Sequence, residues 1–453
     1  MTATRPRRGQ ASSPHPYIPN TDDDRRAMLD VIGAATADDL FADIPSDLRI
    51  EGLDLPPALS EQELVREMAA LATSNQVPGD GMACFLGAGA YRHFIPSVVG
   101  HVIGRSEFYT AYTPYPPEIS QGTLQTMFEL QSMTCELMAM DVANAGMYDG
   151  ASALAEACLM ACNITGRERI ALLDSVHPSY AAVVRTYARG RGLAVDTVSN
   201  AGLSQEHACL PVGTACLAVQ HPNFFGHLED VRAHESAAHA AGALLIAVAD
   251  PISLGLLAPP GEYGADIAVA EGQGLGSPVS FGGPFLGLFA CRQQYLRQMP
   301  GRIVGRTTDM DGRTGYVLTL QTREQHIRRE RATSNICTSQ QLVGLAAAVY
   351  LAAVGRHGLR QIAEACYHKS HYAAQRIAAL PGYSLAFQTP FFKEFTVRCP
   401  KPPKQLLSRL LEQGIIGGLD VSDRVENGML VCVTEVNTRQ EIDRLVEALA
   451  EAR

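Results

Sequence analysis

The chain has 453 residues, which exceeds the usual size of one hydrophobic core and predicts two packed units with an extra terminal segment. Its residues are 46% hydrophobic and 19% charged, a composition that is typical of a folded globular protein and excludes a disordered or fibrous chain. The formal net charge of −10 argues against the basic surface that nucleic acid or an anionic membrane requires, so we expect neither as a partner.

The N-terminal part is predicted to be helical after a short tail. Residues 1–15 contain Arg, Pro and Ser and lack the apolar stretch of a secretory signal, which predicts a disordered tail. Residues 16–75 are predicted to form a helical extension. Thr21 is a suitable N-cap before three aspartates, and residues 60–72 have a helical pattern.

The remaining chain is predicted to form two α/β domains. In residues 76–330, short apolar runs such as "RIALL", "ALLIAVAD" and "ADIAVAE" alternate with helical segments, which predicts a mostly parallel sheet with helices on both faces. In residues 331–453, long helices rich in Ala and Leu precede three shorter apolar runs and a closing helix. This pattern predicts a smaller C-terminal α/β domain.

The cysteines and the longest apolar run bear on the compartment. Eleven cysteines without a CxxC pair or a regular framework predict reduced thiols, a cytoplasmic location and no metal site. The apolar run at 342–355 has about 14 residues, whereas a membrane-spanning helix needs about 20. We therefore expect a buried helix there.

Four places at predicted strand ends are candidates for a ligand site, because open α/β sheets bind ligands beyond the carboxyl ends of their strands. Gly150 and Ser152 precede a helix whose N–H groups could receive a phosphate, although a plain helix cap explains them as well. His177 follows "RIALL" and could stack on a planar cofactor or cap the next helix. Asp250 ends the next candidate strand and could pair with a ring nitrogen or form an ordinary Asp-Pro turn. The fourth place follows the strand "ADIAVA".

Together, these places resemble the cofactor site of the fold-type I pyridoxal-phosphate (PLP) enzymes, which have the aspartate aminotransferase-like fold. In that class a lysine forms a Schiff base with the cofactor, and the position corresponds to Gln273 or Gly274 here. Neither residue can replace a primary amine. All lysines of the chain lie in the predicted C-terminal domain: Lys369, Lys393, Lys401 and Lys404. We therefore expect a degenerate cofactor site without a catalytic residue of its own.

Longer stretches identify which lysine-less relatives the chain resembles. They include "FLGAGAYRHFIPSVV" (85–99), "EFYTAYTPYPPEISQGTLQTMFELQ" within 107–157 and "SFGGPFLG" (280–287). Over residues 15–453 the chain resembles the α subunits, or subunits 1, of bacterial two-subunit glycine dehydrogenases (decarboxylating), the P-proteins of the glycine cleavage system.

The resemblance implies that a homologous subunit 2 holds PLP covalently and that both subunits form an α2β2 enzyme, with this chain inactive alone. The enzyme would decarboxylate glycine and pass the aminomethyl group to the lipoyl arm of the H-protein.

The resemblance also suggests which residues contribute to the partner's active site. Tyr112, Tyr115 and Glu118 lie in a proline-stiffened loop and could bond a cofactor or a substrate carboxylate. Arg92 and His93 could steer a carboxylate. Packing of a subunit interface is the alternative for the loop residues, and a salt bridge in a core or an interface is the alternative for Arg92 and His93.

Two other functions remain open from the sequence. The chain could bind PLP without a covalent link and act as a catalyst in its own right, using His177 or Gln273 in place of the amine. Alternatively, a free-standing protein could use the degenerate site to sense a metabolite.

Overall fold

The computed structural model describes residues 18–50, 54–79, 81–199 and 210–452, and the chain divides into two compact units, Met1–Gln76 and Val77–Arg453. The predicted tail, residues 1–15, lies outside the described residues. The boundaries predicted at 15, 75 and 330 stay predictions.

The first unit contains two capped helices, α1 (Asp22–Ile32) and α2 (Glu61–Ala72). Thr21 caps α1 and Ser60 caps α2, each in a capping box in which the acidic residue three positions later bonds back to the cap. The helical prediction for this segment is confirmed for α1 and α2. No residue of either helix is buried.

The second unit contains the remaining elements. Its helices are α3 (Ser97–Ile103), α4 (Ser106–Tyr109), α5 (Gln121–Met138), α6 (Gly150–Thr165), α7 (Pro178–Gly190), α8 (Val231–Ala240), α9 (Gln325–Arg328), α10 (Gln341–Ala378), α11 (Pro403–Glu412) and α12 (Arg439–Glu451). Its strands are β1 (Ala83–Cys84), β2 (Val142–Ala143), β3 (Arg169–Leu173), β4 (Ala194–Val198), β5 (Thr214–His221), β6 (Leu244–Ala249), β7 (Ile267–Glu271), β8 (Gly287–Cys291), β9 (Ile303–Thr308), β10 (Thr314–Thr319), β11 (Ser384–Leu385), β12 (Glu394–Arg398), β13 (Ile415–Ile416), β14 (Leu419–Asp420) and β15 (Gly428–Cys432).

A seven-stranded sheet forms the centre of this unit, with strand order β2-β8-β7-β6-β5-β3-β4. The strands from β7 to β4 pair in parallel, whereas β8 is antiparallel to both β7 and β2. The prediction of a mostly parallel sheet is confirmed. The apolar runs that predicted it are fully buried strands, as both faces are covered by helices.

Alternate residues of β7 enter different cores. Ile267 and Val269 pack with α6, α7 and α8, whereas Ala268 and Ala270 pack with α5 and α10. Successive side chains of a strand point to opposite faces, so helices cover both sides of the sheet, as predicted.

A second, four-stranded antiparallel sheet has the order β11-β12-β15-β14 and packs with α11, α12 and the end of α10. The early strand β1 joins this region, because Ala83 pairs in parallel with Ile415 of β13 and Phe85 is buried in the same core. The C-terminal core is therefore completed by residues from the beginning of the second unit.

Helix α10 links the two cores and is bent at Gly355, which has φ 59° and ψ −176°. Ala346 and Tyr350 belong to the core of the seven-stranded sheet, whereas Ala373 and Ile377 belong to the core of the four-stranded sheet. Within the described residues, α10 is the one helix with the length and apolar composition of a membrane span. Residues 344–348 and Tyr350 are buried, whereas Leu342, Ala352 and Ala353 are exposed, so the run at 342–355 is buried in part.

Candidate functional site

The carboxyl ends of neighbouring strands bring several polar side chains into one cavity. His177 lies beyond β3, Asp250 follows β6 and Glu271 ends β7. Other charged or aromatic residues of the lining are Tyr91, Tyr180, Phe392, Lys393 and Glu394. The structure thus brings together two of the predicted residues, His177 and Asp250, with a lysine that was predicted only to lie in the C-terminal domain.

Asp250 and Lys393 both line this cavity and form an ion pair with each other. Asp250 Oδ2 lies 2.7 Å from Lys393 Nζ, and the two side chains are 14% and 2% exposed. Burial alone would lower the pKa of Lys393, but the Asp250 carboxylate together with Cys432 and Cys366 outweighs burial, so the pKa is raised and the ammonium form is retained. Asp250 Oδ1 accepts from Ile252 N at 3.1 Å. Asp250 therefore forms the ordinary turn and an internal ion pair.

Two further contacts hold the Lys393 ammonium in place. Nζ lies 3.5 Å from the centre of the Tyr91 ring and 3.2 Å from His93 Nε2. Glu394 does not compete for this charge, because its carboxylate accepts from Ala88 N and from the Tyr91 hydroxyl, each at 2.7 Å. Asp250 is thus the counter-ion of Lys393.

Glu271 occupies the N-terminus of α6. Its Oε2 accepts from Gly150 N at 2.8 Å, and its Oε1 accepts from Gln273 N and Leu286 N, each at 2.9 Å. Burial raises the pKa of Glu271 to about 7, against the opposing effect of the three N–H donors. The carboxyl group therefore sits where a helix would otherwise present donors to an anion.

The N–H groups expected at Gly150 and Ser152 are not free. Gly150 N bonds Glu271, and Ser152 N donates to Asp149 Oδ1 at 2.7 Å, so Asp149 caps α6. Neither Gly150 nor Ser152 lines the cavity. Of the two interpretations of this segment, the structure has the helix cap, because neighbouring carboxyl groups satisfy the donors.

The Gln273 side chain forms hydrogen bonds with backbone atoms and, like Gly150 and Ser152, does not line the cavity. Its Oε1 accepts from Tyr91 N at 2.8 Å, and its Nε2 donates to Tyr91 O at 3.0 Å and to Ser277 O at 2.7 Å. At Gly274 an added Cβ would lie 3.0 Å from His93 Cδ2. A side chain at position 274 would therefore press against His93 in its present position.

His177 caps α7 and also faces the cavity. Its Nδ1 accepts from Ser179 N at 3.1 Å, so Nε2 carries the proton that is donated to Ala88 O at 2.9 Å. Burial lowers the pKa of His177, which keeps the ring neutral. An added Cβ at Gly89 would lie 3.1 Å from Nε2, so the loop that contains Ala88 and Gly89 covers this ring.

The residues predicted to serve a partner's site lie in two different settings. His93 is buried, and its Nδ1 donates a hydrogen bond to Glu435 Oε2 at 2.7 Å. The carbonyl of Arg92 accepts from Thr434 Oγ1 at 2.6 Å. The loop residues are exposed, and these are Tyr112 (81%), Tyr115 (45%) and Glu118. None of the five lines the cavity.

His93, Cys366 and Glu435 have ligand atoms within 4.8 Å of one another, which is a spacing that a metal ion could use. Here they form a hydrogen-bonded chain instead. Lys393 Nζ donates to His93 Nε2, His93 Nδ1 donates to Glu435, and Cys366 Sγ contacts Glu435 at 3.4 Å. The ammonium group beside His93 disfavours a second cation in this position.

The residues present do not fit PLP. Glu271 accepts from the N–H group of Gly150 that was expected to receive a phosphate, Asp250, the expected partner of a ring nitrogen, is paired with Lys393, and 271–274 contain no lysine. The cavity that remains measures about 40 Å³, which holds a few water molecules. Neither Glu271 nor Lys393 was predicted as a site residue from the sequence. A carboxylate at the end of β7 was a visible signal for the first, whereas nothing in the sequence indicated the second.

The fold defines a protein of the fold-type I PLP-enzyme architecture, and its strand-end site contains no lysine at 271–274. A family model described as "Glycine cleavage system P-protein" matches residues 15–449, and the chain belongs to that family. The resemblance seen in the sequence is thereby confirmed.

Individual relatives agree with this assignment. The chain is 54% identical over 441 residues to a "Probable glycine dehydrogenase (decarboxylating) subunit 1" from Chlorobium limicola, a match that covers 96% of this chain and 99% of the relative. A crystal structure of "glycine decarboxylase (P-protein) of the glycine cleavage system, in inhibitor-bound form" is 44% identical, with a TM-score of 0.91 over 96% of this chain and 100% of that one.

A more distant structure supports the fold class alone. A C-DES mutant with glycine covalently linked to the PLP cofactor is 18% identical, with a TM-score of 0.59 over 82% of this chain and 97% of that chain. The predicted fold-type I class is therefore confirmed.

Proposed function

We propose that this chain is the supporting subunit of a glycine dehydrogenase (decarboxylating), which completes the enzyme without holding its cofactor. One observation carries the proposal: in a chain of the P-protein family, the lysine is missing from 271–274 and the pocket is filled by Glu271 and Lys393. A primary amine is indispensable for the Schiff base, so another chain must supply it.

The partner is a second, homologous subunit that binds PLP covalently, in an α2β2 assembly located in the cytoplasm. The assembled enzyme decarboxylates glycine and transfers the aminomethyl group to the lipoyl arm of the H-protein. The name of the Chlorobium limicola relative, subunit 1, supports a two-subunit enzyme. PLP supplies the electron sink for decarboxylation when it is bound in the partner.

The contribution of this chain comes from its exposed loops. Tyr112 and Tyr115 present hydroxyl groups on stiff backbone, and Glu118 presents a carboxylate, all of them accessible to another chain. Exposed Ile119 and Phe281, at 81% and 101%, supply apolar surface for a subunit contact. These features support a role in which the loops orient the substrate and exclude water at the partner's site.

The test is exchange of labelled bicarbonate into the carboxyl carbon of glycine, with PLP and H-protein present. The chain is assayed alone, the lysine-bearing homologue alone, and then both together. We expect no exchange with this chain alone and full exchange with the mixture. Exchange catalysed by this chain alone would overturn the proposal, because it would require a substitute for the missing amine.

The other two functions have less support. A catalyst that binds PLP non-covalently and a metabolite sensor both need an accessible pocket, and the cavity of about 40 Å³ is far below the 300–1,000 Å³ of ordinary small-molecule sites. The membership of the P-protein family also favours a subunit of a decarboxylase over a free-standing sensor.

A further inference from the structure

The cavity at the strand ends is lined by an acidic group, Glu271, and by a cation, Lys393, and both belong to the chain itself. We propose that Glu271 and Lys393 close a pocket that would otherwise accept a small protonated aromatic ring carrying a phosphate, so that the cavity is an internal ion-pair site instead of a ligand site. The proposal deepens the proposed function, on which it rests for the origin of the pocket.

The Glu271 carboxyl group reproduces the contacts of a bound phosphate. Three backbone N–H groups, from Gly150, Gln273 and Leu286, converge on the Glu271 carboxyl group at 2.8–2.9 Å. Convergent backbone donors at a helix N-terminus are the usual way in which proteins bind phosphate. Each of these donors has an acceptor within the chain, so a phosphate could enter only by displacing Glu271.

The Lys393 ammonium group reproduces the contacts of a protonated ring nitrogen. The Lys393 ammonium lies 2.7 Å from Asp250 Oδ2 and 3.5 Å from the centre of the Tyr91 ring, and its side chain is 2% exposed. A carboxylate in this enclosed position needs a cationic partner. Lys393 reaches it from the residue before β12, so the C-terminal part of the chain provides the charge that a ligand would otherwise bring.

The Glu271 carboxyl group and the Lys393–Asp250 ion pair belong to one cavity, since all three residues line it. Its remaining volume of about 40 Å³ holds a few water molecules, and Tyr180 and His177 also line it. Removing the side chains of both Glu271 and Lys393 would enlarge the cavity. It would also free the three N–H donors and the Asp250 carboxylate. Truncation is therefore expected to convert the internal site into a ligand site.

The experiment is calorimetric titration of the full chain with pyridoxine 5′-phosphate. This probe has no aldehyde, so it cannot form imines with the four lysines. We expect no saturable binding to the wild-type chain up to about 1 mM, and binding at least about tenfold tighter to the double variant Glu271→Ala with Lys393→Ala. The matched control, Lys404→Ala with Glu447→Ala, removes the same charges from exposed positions and is expected to behave as the wild type.

Saturable binding to the wild-type chain below about 1 mM would overturn the proposal. The proposal would also fail if the double variant has the wild-type circular dichroism spectrum and binds no more tightly. If the double variant does not fold, Glu271→Ala alone is tested with inorganic phosphate, which should raise the Tm of the variant and leave the wild type unchanged. An equal response of both would contradict the proposal.

These outcomes are independent of the bicarbonate exchange. A failure of the exchange experiment leaves the binding result unchanged, since the titration measures this chain by itself. Conversely, a wild-type chain that bound the probe would still be a supporting subunit if it exchanged label only with its partner present.

Discussion

At the scale of single residues, Glu271 combines two opposing effects on one carboxyl group. Three backbone N–H donors favour its ionised form, whereas burial and the nearby Asp149 disfavour it, and the net result is a pKa of about 7. The unfolded chain would ionise this group near its ordinary value of 4.5. The folded chain therefore holds the Glu271 proton more tightly than the unfolded chain does. The free energy of unfolding consequently depends on pH.

We predict that this group makes the folded chain less stable as pH rises from about 4.5 to about 7, by up to about 1.4 kcal/mol per pH unit. Over that interval the folded state retains a proton that the unfolded state has lost. Glu271→Gln cannot titrate and should lack this part of the slope. Urea unfolding of both chains at several pH values measures it. Taking the difference between the chains removes the contributions of Asp149, Asp250, His177, Tyr180 and Lys393, which surround the site.

An unchanged slope in the Glu271→Gln chain would show that the carboxyl group is already ionised at low pH. That result would mean that the three N–H donors outweigh burial.

Tyr112 provides a second prediction at this scale. Because the side chain is 81% exposed, Tyr112→Phe should leave the fold intact. Loss of one hydrogen bond to the partner's site is expected to lower exchange activity of the assembled enzyme about 2- to 10-fold without dissociating it. Activity and native mass are measured together, with Tyr109→Phe as the control, because Tyr109 is also exposed. Dissociation of the complex would instead assign Tyr112 to subunit packing.

The residues of the site could be predicted from the sequence only in part. His177 and Asp250 were found because strand ends are visible as the ends of apolar runs. Lys393 could not be found this way, since its contact with Asp250 depends on how β12 packs near the large sheet. Gln273 was correctly seen as unable to act as an amine, but its bonds to Tyr91 depend on a loop from elsewhere in the chain.

At the scale of elements, the bend in α10 depends on one glycine. Gly355 has φ 59° and ψ −176°, a combination that is essentially restricted to glycine, and an added Cβ would meet no atom within 4 Å. The bend allows one helix to pack in two cores. Any cost of adding a methyl group here is therefore a backbone cost and not a clash.

We predict that Gly355→Ala lowers the free energy of unfolding by about 1–3 kcal/mol. Gly100→Ala is the matched control, because Gly100 is exposed within α3, lacks a positive φ and also has open space around it. The control should be neutral or more stable by up to about 1 kcal/mol. Thermal unfolding of the three chains measures the difference, and equal stability of the Gly355→Ala chain and the wild type would mean that the helix straightens at no cost.

Most elements of the second unit follow from the apolar runs, but the hairpin of β9 and β10 does not. The outer half of β9 is exposed and carries Arg306, Thr307 and Thr308, so it has no continuous apolar stretch. Its partner β10 is only partly buried as well. Buried strands are therefore visible in this sequence, whereas strands that lie half in solvent are not.

At the scale of the whole molecule, exposed apolar side chains indicate that the chain does not function alone. Tyr112, Ile119 and Phe281 are each more than 80% exposed in the second unit. Large exposed apolar groups are typical of surfaces that another chain covers. We predict that the purified chain associates with itself, as measured by light scattering, and that the added partner subunit replaces this association by a complex of defined mass. A stable monomer at high concentration would contradict the prediction.

The pairing of β1 with β13 sets an order of events during synthesis on the ribosome. Ala83 is made well before Ile415, with which it pairs. At about 5–20 residues per second, the interval between the two is roughly 15–70 s. During that time Phe85, which is fully buried in the finished chain, has no core to enter. The newly made chain therefore passes through a period in which this apolar segment is outside its final core.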